Sequence, residues 1–212
     1  MILLYCVRME QSKEVIQSQA ARPAVSFRLV IAIAPSTLAL ILGAVLVYFT
    51  EVTVQLNLGD VSSTFGFSIL FGVITYGVFA LITRFEFHEL LMKTREALLS
   101  LLEGMNIWHF SCIAVLAGVG EELLFRGFLQ PFLGSFMPIE FAIIIAAIGF
   151  GLLHFASVGY FFLSTVLGIL FGVVYHLTDN IVLVMSWHAV YDILALFVLL
   201  RYPQWLGLAE GD

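Results

Sequence analysis

Six stretches of the chain are apolar enough to form membrane helices, and one more is two-faced. Leu29 to Phe49 carries no charge and is long enough to span a bilayer. Pro35 is expected to bend it, which membrane helices tolerate when neighbours satisfy the freed carbonyl. Phe65 to Thr83 is a second uncharged span. From Arg84 to Glu103 the pattern changes. Phe85, Phe87, Leu90, Leu91, Leu98, Leu99 and Leu102 alternate with Arg84, Glu86, Glu89, Lys93, Arg95 and Glu96, which predicts an amphipathic helix lying at the membrane surface. A third apolar segment begins near Ile107 and runs to about Leu133; Glu121, Glu122 and Arg126 interrupt it, and Pro131 and Gly134 close it. Phe141 to Leu153, continuing to His154, is the fourth; Phe155 to Tyr175 is the fifth; Ile181 to Leu200, carrying His188 and Asp192, is the sixth. No period of 20–50 residues repeats, so a solenoid is excluded.

Composition makes the membrane reading firm. Of 212 residues, 61% are hydrophobic and 11% charged, whereas soluble chains run at roughly 45–50% and about 25%. The expected fold is an all-α integral membrane protein, a bundle of about six transmembrane helices plus one interfacial amphipathic helix. A single membrane domain fills residues 1–212. Within it, 1–24 form a cytoplasmic N-terminal segment, 25–104 two spans and the surface helix, and 105–200 the core that carries the polar residues. The leading MILLYCVR is too short for a secretory signal, and the polar stretch from Met9 reads like a natural start. A net charge of −6 with nine scattered basic residues argues against a nucleic-acid partner. Cys6 and Cys112 give no disulfide framework.

Charge also gives orientation. Arg8, Lys13, Arg22 and Arg28 precede the first span, Arg84, Lys93 and Arg95 follow the second, and Arg201 follows the sixth. Acidic Glu51, Asp60, Glu140 and Asp179 fall in the alternate loops. The positive-inside rule then places both termini in the cytoplasm of a cell (inner) membrane protein.

Ionisable residues within the spans are the candidate chemistry. Each costs about 2.5–3.5 kcal/mol at mid-bilayer and is functional by default. Glu122 and Arg126 are four apart, share a helix face and can form an ion pair. Glu121 sits about 100° away round the helix, which leaves one carboxylate neutralised and one free. A free carboxylate in a low-dielectric setting is what a general base or acid working near neutrality requires. His154 taken alone reads as a packing histidine near a helix end. His188 and Asp192, again four apart, can form a pair in which the carboxylate fixes the imidazole tautomer, or one that simply glues helices. Three polar clusters on three apolar segments are better explained by one shared site. Elsewhere, His109 reads as interfacial, His176 as a helix-end residue and His88 as solvated. Ser111, Ser164 and Ser186 lack a nucleophile setting.

Read together, Glu121-Glu122-x-x-x-Arg126, Phe150-x-x-x-His154 and His188-x-x-x-Asp192 resemble the CPBP family of intramembrane proteases, which includes the CAAX-processing Rce1 type and the bacterial Abi proteins. The FRG after the glutamates and the GVG before them add to the likeness, which covers roughly residues 105–200. The resemblance implies an intramembrane endopeptidase. Glu121 would activate water, His154 would hold the same water, Glu122 and Arg126 would brace the site, and His188 would help stabilise the oxyanion. At the last position the Rce1 type usually has Asn. Asp192 departs from that and is expected to orient His188 instead of donating to the oxyanion. Glu121, His154 and His188 could also make a two-histidine, one-carboxylate metal site, but there is no H-E-x-x-H helix. The expectation is a glutamate-type enzyme with no metal and no cofactor, acting on a membrane-anchored protein or peptide in the lipid bilayer. A zinc-dependent version, a non-catalytic immunity or regulatory protein that keeps the polar core, and a small transporter are the competing functions. The transporter lacks paired half-sequences.

Overall fold

The computed structural model describes residues 24–50, 52–54, 59–155 and 157–208, with the Glu86 side chain left aside. The proposed start at Met9, residues 1–23 of the cytoplasmic segment with Arg8, Lys13 and Arg22, and the loop residues Glu51 and Asn57 lie outside the described residues. In chain order the helices are α1 (Val25–Phe49), α2 (Val61–Glu86), α3 (His88–Leu102), α4 (Ile107–Glu122), a π-helical segment (Leu123–Leu129), α5 (Gln130–Gly134), α6 (Ile139–Leu153), α7 (Val158–Thr178) and α8 (Ile181–Arg201), followed by a 3₁₀ turn at Pro203–Leu206. No strand occurs among the described residues.

The protein is an all-α membrane protein. Helices α1, α2, α7 and α8 are each long and apolar enough to cross a bilayer. The other two apolar segments are built differently from the uninterrupted spans that periodicity predicts. The third is α4, the π segment and α5 stacked end to end, and the fourth, α6, has only 15 residues. Pro35 lies inside α1 without ending it. Outward residues such as Leu38, Phe85 and Phe162 are at least 60% exposed, the surface expected of a chain solvated by lipid.

Polar caps set where each helix starts. Asp60 accepts from Ser63 N–H at α2, Ser157 from Tyr160 N–H at α7, and Asn180 from Leu183 N–H at α8. Asn106 accepts from the Trp108 and His109 N–H groups, and its own N–H donates to His109 Nδ1. His109 is therefore a helix cap. The amphipathic stretch divides at Phe87: Arg84 to Glu86 continue α2, and α3 begins at His88. On α3, Lys93 and Glu89 pair in solvent at 2.7 Å, while Leu91, Met92 and Leu98 pack on the cluster formed by Val198, Leu199, Leu206 and Leu208.

Helix α8 is the hub, packed against both α4 and α2, while α6 pairs with α7 and α1 with α4. Ser68 Oγ donates to Leu183 O at 2.9 Å, Asn180 Nδ2 donates to Thr64 Oγ1 at 3.0 Å, and Trp187 Nε1 donates to Thr75 Oγ1 at 3.0 Å, tying α2 to α8. Gly120 gives α4 its approach to α1, because a Cβ there would meet the Ser36 carbonyl. The core of Phe125, Phe150, Leu167, Phe171, Val184 and Trp187 lies where α6, α7, α8 and the π segment meet. The polar residues are set into this core.

Candidate active site

Glu122 is the buried centre. Arg126 Nη1 donates to Glu122 Oε1 at 3.0 Å, and His188 Nδ1 meets the same oxygen at 2.9 Å. Both Glu122 and Arg126 are 0% exposed. The ion pair expected from their spacing is present although Arg126 lies in π-helical winding, a form that appears mostly as short interruptions at functional sites. The guanidinium is held at both terminal nitrogens, while its Nε has no hydrogen-bond partner among the described residues. Nη2 donates to Gly168 O at 2.6 Å, and the charge lies over the rings of Phe150 at 4.8 Å, Phe171 at 5.3 Å and Phe125 at 5.8 Å. Within about 6 Å of an aromatic face a cation is attracted by the ring quadrupole, so this cage replaces part of the hydration that Arg126 loses. A planar guanidinium serves carboxylate, carbonyl and rings together, which lysine could not.

Glu121 points elsewhere. Its Oε2 makes no hydrogen bond, and His154 Nε2 stands 3.5 Å from it. His154 follows the last residue of α6, and its Nδ1 meets Phe150 O at 2.9 Å. A carbonyl only accepts, so Nδ1 carries a proton and Nε2 is the nitrogen turned toward Glu121. Phe150 thus has three tasks. It holds His154 by its carbonyl, packs on that imidazole at 4.4 Å, and meets the His188 ring edge-on at 5.8 Å. His188 is also stacked on Phe171 at 5.1 Å.

The sequence offers no reason for Glu121 and His154 to lie at one depth, since Glu121 is about 22 Å along its helix from Asn106 and His154, near the cytoplasmic end of the fourth segment, reads as much shallower. The shared hairpin explains the meeting. Glu121 lies 13 residues before the end of α5 at Gly134, and His154 lies 15 residues after the start of α6 at Ile139. Counted from the turn that joins them, the two are level, because α6 stops where the site begins.

Asp192 stands beside His188 but does not make its closest contact. Its Oδ2 is 3.5 Å from His188 Nε2, beyond a good hydrogen bond, whereas Glu122 takes the close contact at Nδ1. His188 therefore sits between two carboxylates, and an ionised carboxylate can only accept. A cavity of about 50 Å³ opens beside it, lined by His154, Tyr160, Leu163, His188, Tyr191 and Asp192 among others. That volume holds one or two water molecules. The cavity lining reaches Thr83 and Tyr160, near the ends of α2 and α7 that face the α3 side.

Residues 103–194 match the model of the type II CAAX prenyl endopeptidase Rce1-like family. Over that stretch the chain is similar to the Rce1-like family. No curated protein and no solved structure matches the chain. The Rce1-like stretch contains every one of the three polar clusters and leaves α1, α2 and α3 outside. The likeness is thus to a family of membrane peptidases.

Some residues at the Rce1-like site escaped the sequence reading. Gln130, 2% exposed, donates from Nε2 to Gly172 O at 3.0 Å, one turn beyond the Arg126–Gly168 contact. The signal was present as Gly168-x-x-x-Gly172 facing two polar residues four apart. Gly168 is needed there because a Cβ would stand 3.2 Å from Arg126 Nη2 and from Ala147. Among the described residues no three histidine, cysteine or acidic side chains gather as metal ligands.

Proposed function

We propose that the protein is a glutamate-type intramembrane endopeptidase in which Glu121 and His154 activate a water molecule against a peptide bond of a membrane-anchored substrate. The observation that carries this reading is the 3.5 Å approach of Glu121 Oε2 to His154 Nε2, with His154 itself lining a water-sized cavity. With Nε2 unprotonated, a water lying to one side of both atoms can donate a hydrogen to each while its free lone pair faces the substrate. As the oxygen–carbon bond forms, Glu121 takes the water proton. As the carbon–nitrogen bond breaks, it delivers that proton to the leaving amine. His188, with a proton on each ring nitrogen, gives Nδ1–H to Glu122 and keeps Nε2–H for the carbonyl oxygen, where negative charge develops. Glu122 and Arg126 hold that imidazole in place, and Asp192 keeps its second N–H turned to the cavity.

The donor set favours catalysis without metal. A catalytic zinc takes three protein ligands. Among the described residues no three histidine, cysteine or acidic side chains gather closely enough to supply them. Both termini lie on the cytoplasmic side. In support, Arg28 donates to Ser100 O at 3.2 Å and Arg84 to Trp205 O at 3.0 Å, which gathers the basic residues at one end of the bundle.

The test is a comparison of membrane-protein termini in cells whose own copy is replaced by wild type, Glu121→Gln or His154→Ala. Termini present with wild type and absent with both variants are the expected result. Trimming that persists with Glu121→Gln would overturn the mechanism. Stoichiometric zinc in the purified protein, with activity lost to chelator and restored by zinc, would overturn the metal-free assignment.

A further inference from the structure

Hydrolysis at this site, as read above, needs more than one hydrogen bond to the developing oxyanion, and His188 supplies only its Nε2–H. Asp192, when ionised, accepts and cannot help. The other polar groups lining the cavity can be sorted by where their protons go. Thr83 Oγ1 donates to Phe79 O at 2.9 Å, and Ser164 Oγ donates to Tyr160 O at 2.7 Å. His154 Nδ1 is engaged with Phe150 O. Two phenols are left, Tyr160 and Tyr191. Tyr191 is wedged edge-on between Tyr76 and Phe79, both at 6.1 Å. Tyr160 stands on the first turn of α7, its hydroxyl makes no hydrogen bond among the described residues, and it lies within electrostatic reach of both Asp192 and Glu121.

We propose that Tyr160 is a second oxyanion donor, its hydroxyl supplying the hydrogen bond that Asp192 cannot. This rests on the hydrolytic reading of the site. Tyr160 and His188 line the same cavity from α7 and α8, so a carbonyl lodged there would receive an N–H from α8 and an O–H from α7 while Glu121 and His154 hold the water from α4 and the end of α6.

The experiment uses the full-length protein in phospholipid vesicles and a quenched synthetic peptide spanning a cleavage site found in the terminus comparison. Tyr160→Phe keeps the ring and removes the donor. It should lower kcat by about 10²–10³-fold with KM nearly unchanged. Asp192→Asn places an N–H donor beside the same oxygen, so Tyr160→Phe with Asp192→Asn should recover most of the lost turnover. A ring that merely packs would show no such recovery. Full activity of Tyr160→Phe, or loss of turnover that Asp192→Asn leaves uncorrected while thermal unfolding is unchanged, overturns the proposal and spares the hydrolytic reading. If Tyr160→Phe unfolds, Asp192→Asn alone decides: a rise in kcat supports a donor-poor oxyanion site, and no rise overturns it. Cleavage retained by Glu121→Gln overturns the hydrolytic reading itself, and this proposal with it.

Discussion

His188 leans on Glu122: its Nδ1 lies 2.9 Å from Glu122 Oε1, an oxygen that also accepts from Arg126 Nη1 at 3.0 Å. One carboxylate oxygen thus answers for a guanidinium and an imidazole contributed by two different segments. Removing it strands both. Glu122→Ala is expected to destabilise the fold by about 3–5 kcal/mol, because Arg126 would remain buried without its counter-charge. Glu122→Met with Arg126→Met should recover a large part of that loss. Thermal unfolding in detergent measures both, and equal stability of the two variants would refute the account.

Glu121 stands in contrast, since its Oε2 has no hydrogen bond to lose. Glu121→Gln should leave the unfolding temperature unchanged or raise it, while turnover falls by about 10²–10⁴-fold. A variant that loses stability along with activity would mean Glu121 is structural.

At Gly168 the geometry makes a finer prediction. An added methyl would stand 3.2 Å from Arg126 Nη2 and from the Ala147 Cα and Cβ. Gly168→Ala should cost about 1–3 kcal/mol, and it should lower activity because Arg126 loses its reach to the Gly168 carbonyl. Gly66, beside which a Cβ meets nothing within 4 Å, is the control. Alanine there should be silent in the same unfolding assay.

Outside the membrane, Asp60 should respond to acid later than an ordinary aspartate. The Ser62 hydroxyl, the Ser63 hydroxyl and then the Ser63 N–H donate to its carboxylate and hold it at about 2, down from 3.8. Because the folded value lies below the unfolded one, its contribution to starting α2 is complete above 3.8 and is lost as the pH falls toward 2. An NMR titration of the carboxyl carbon should show this midpoint, and Ser62→Ala with Ser63→Ala should move it up toward 3.8.

Much of this was legible in the chain. Uncharged runs such as Leu29 to Phe49 can only be helices in lipid, and the four-residue spacing of Glu122 and Arg126 dictates their pairing. What periodicity could not give was winding and relative depth. Nothing in LLFRGFL marks a π segment, because its apolar positions suit either helix. The end of α6 at Leu153 was readable from the pattern, but that Glu121 and His154 meet level depends on the short turn joining α5 to α6, which periodicity does not measure. His188 also has a partner that spacing does not reveal. Spacing along one helix brings Asp192 to mind, whereas Glu122, 66 residues distant in the chain, takes the close contact.

The brevity of α6 has a consequence for the lipid. Fifteen residues reach about 22 Å at 1.5 Å per residue, against a hydrocarbon slab of about 30 Å. Where α6 stops, the acyl chains on that flank have no rod to match and the leaflet must dimple inward, a mismatch that thins the bilayer locally. A scissile bond drawn from a neighbouring protein would then meet water without being pulled out of the membrane, and thicker membranes should make this chain a slower enzyme.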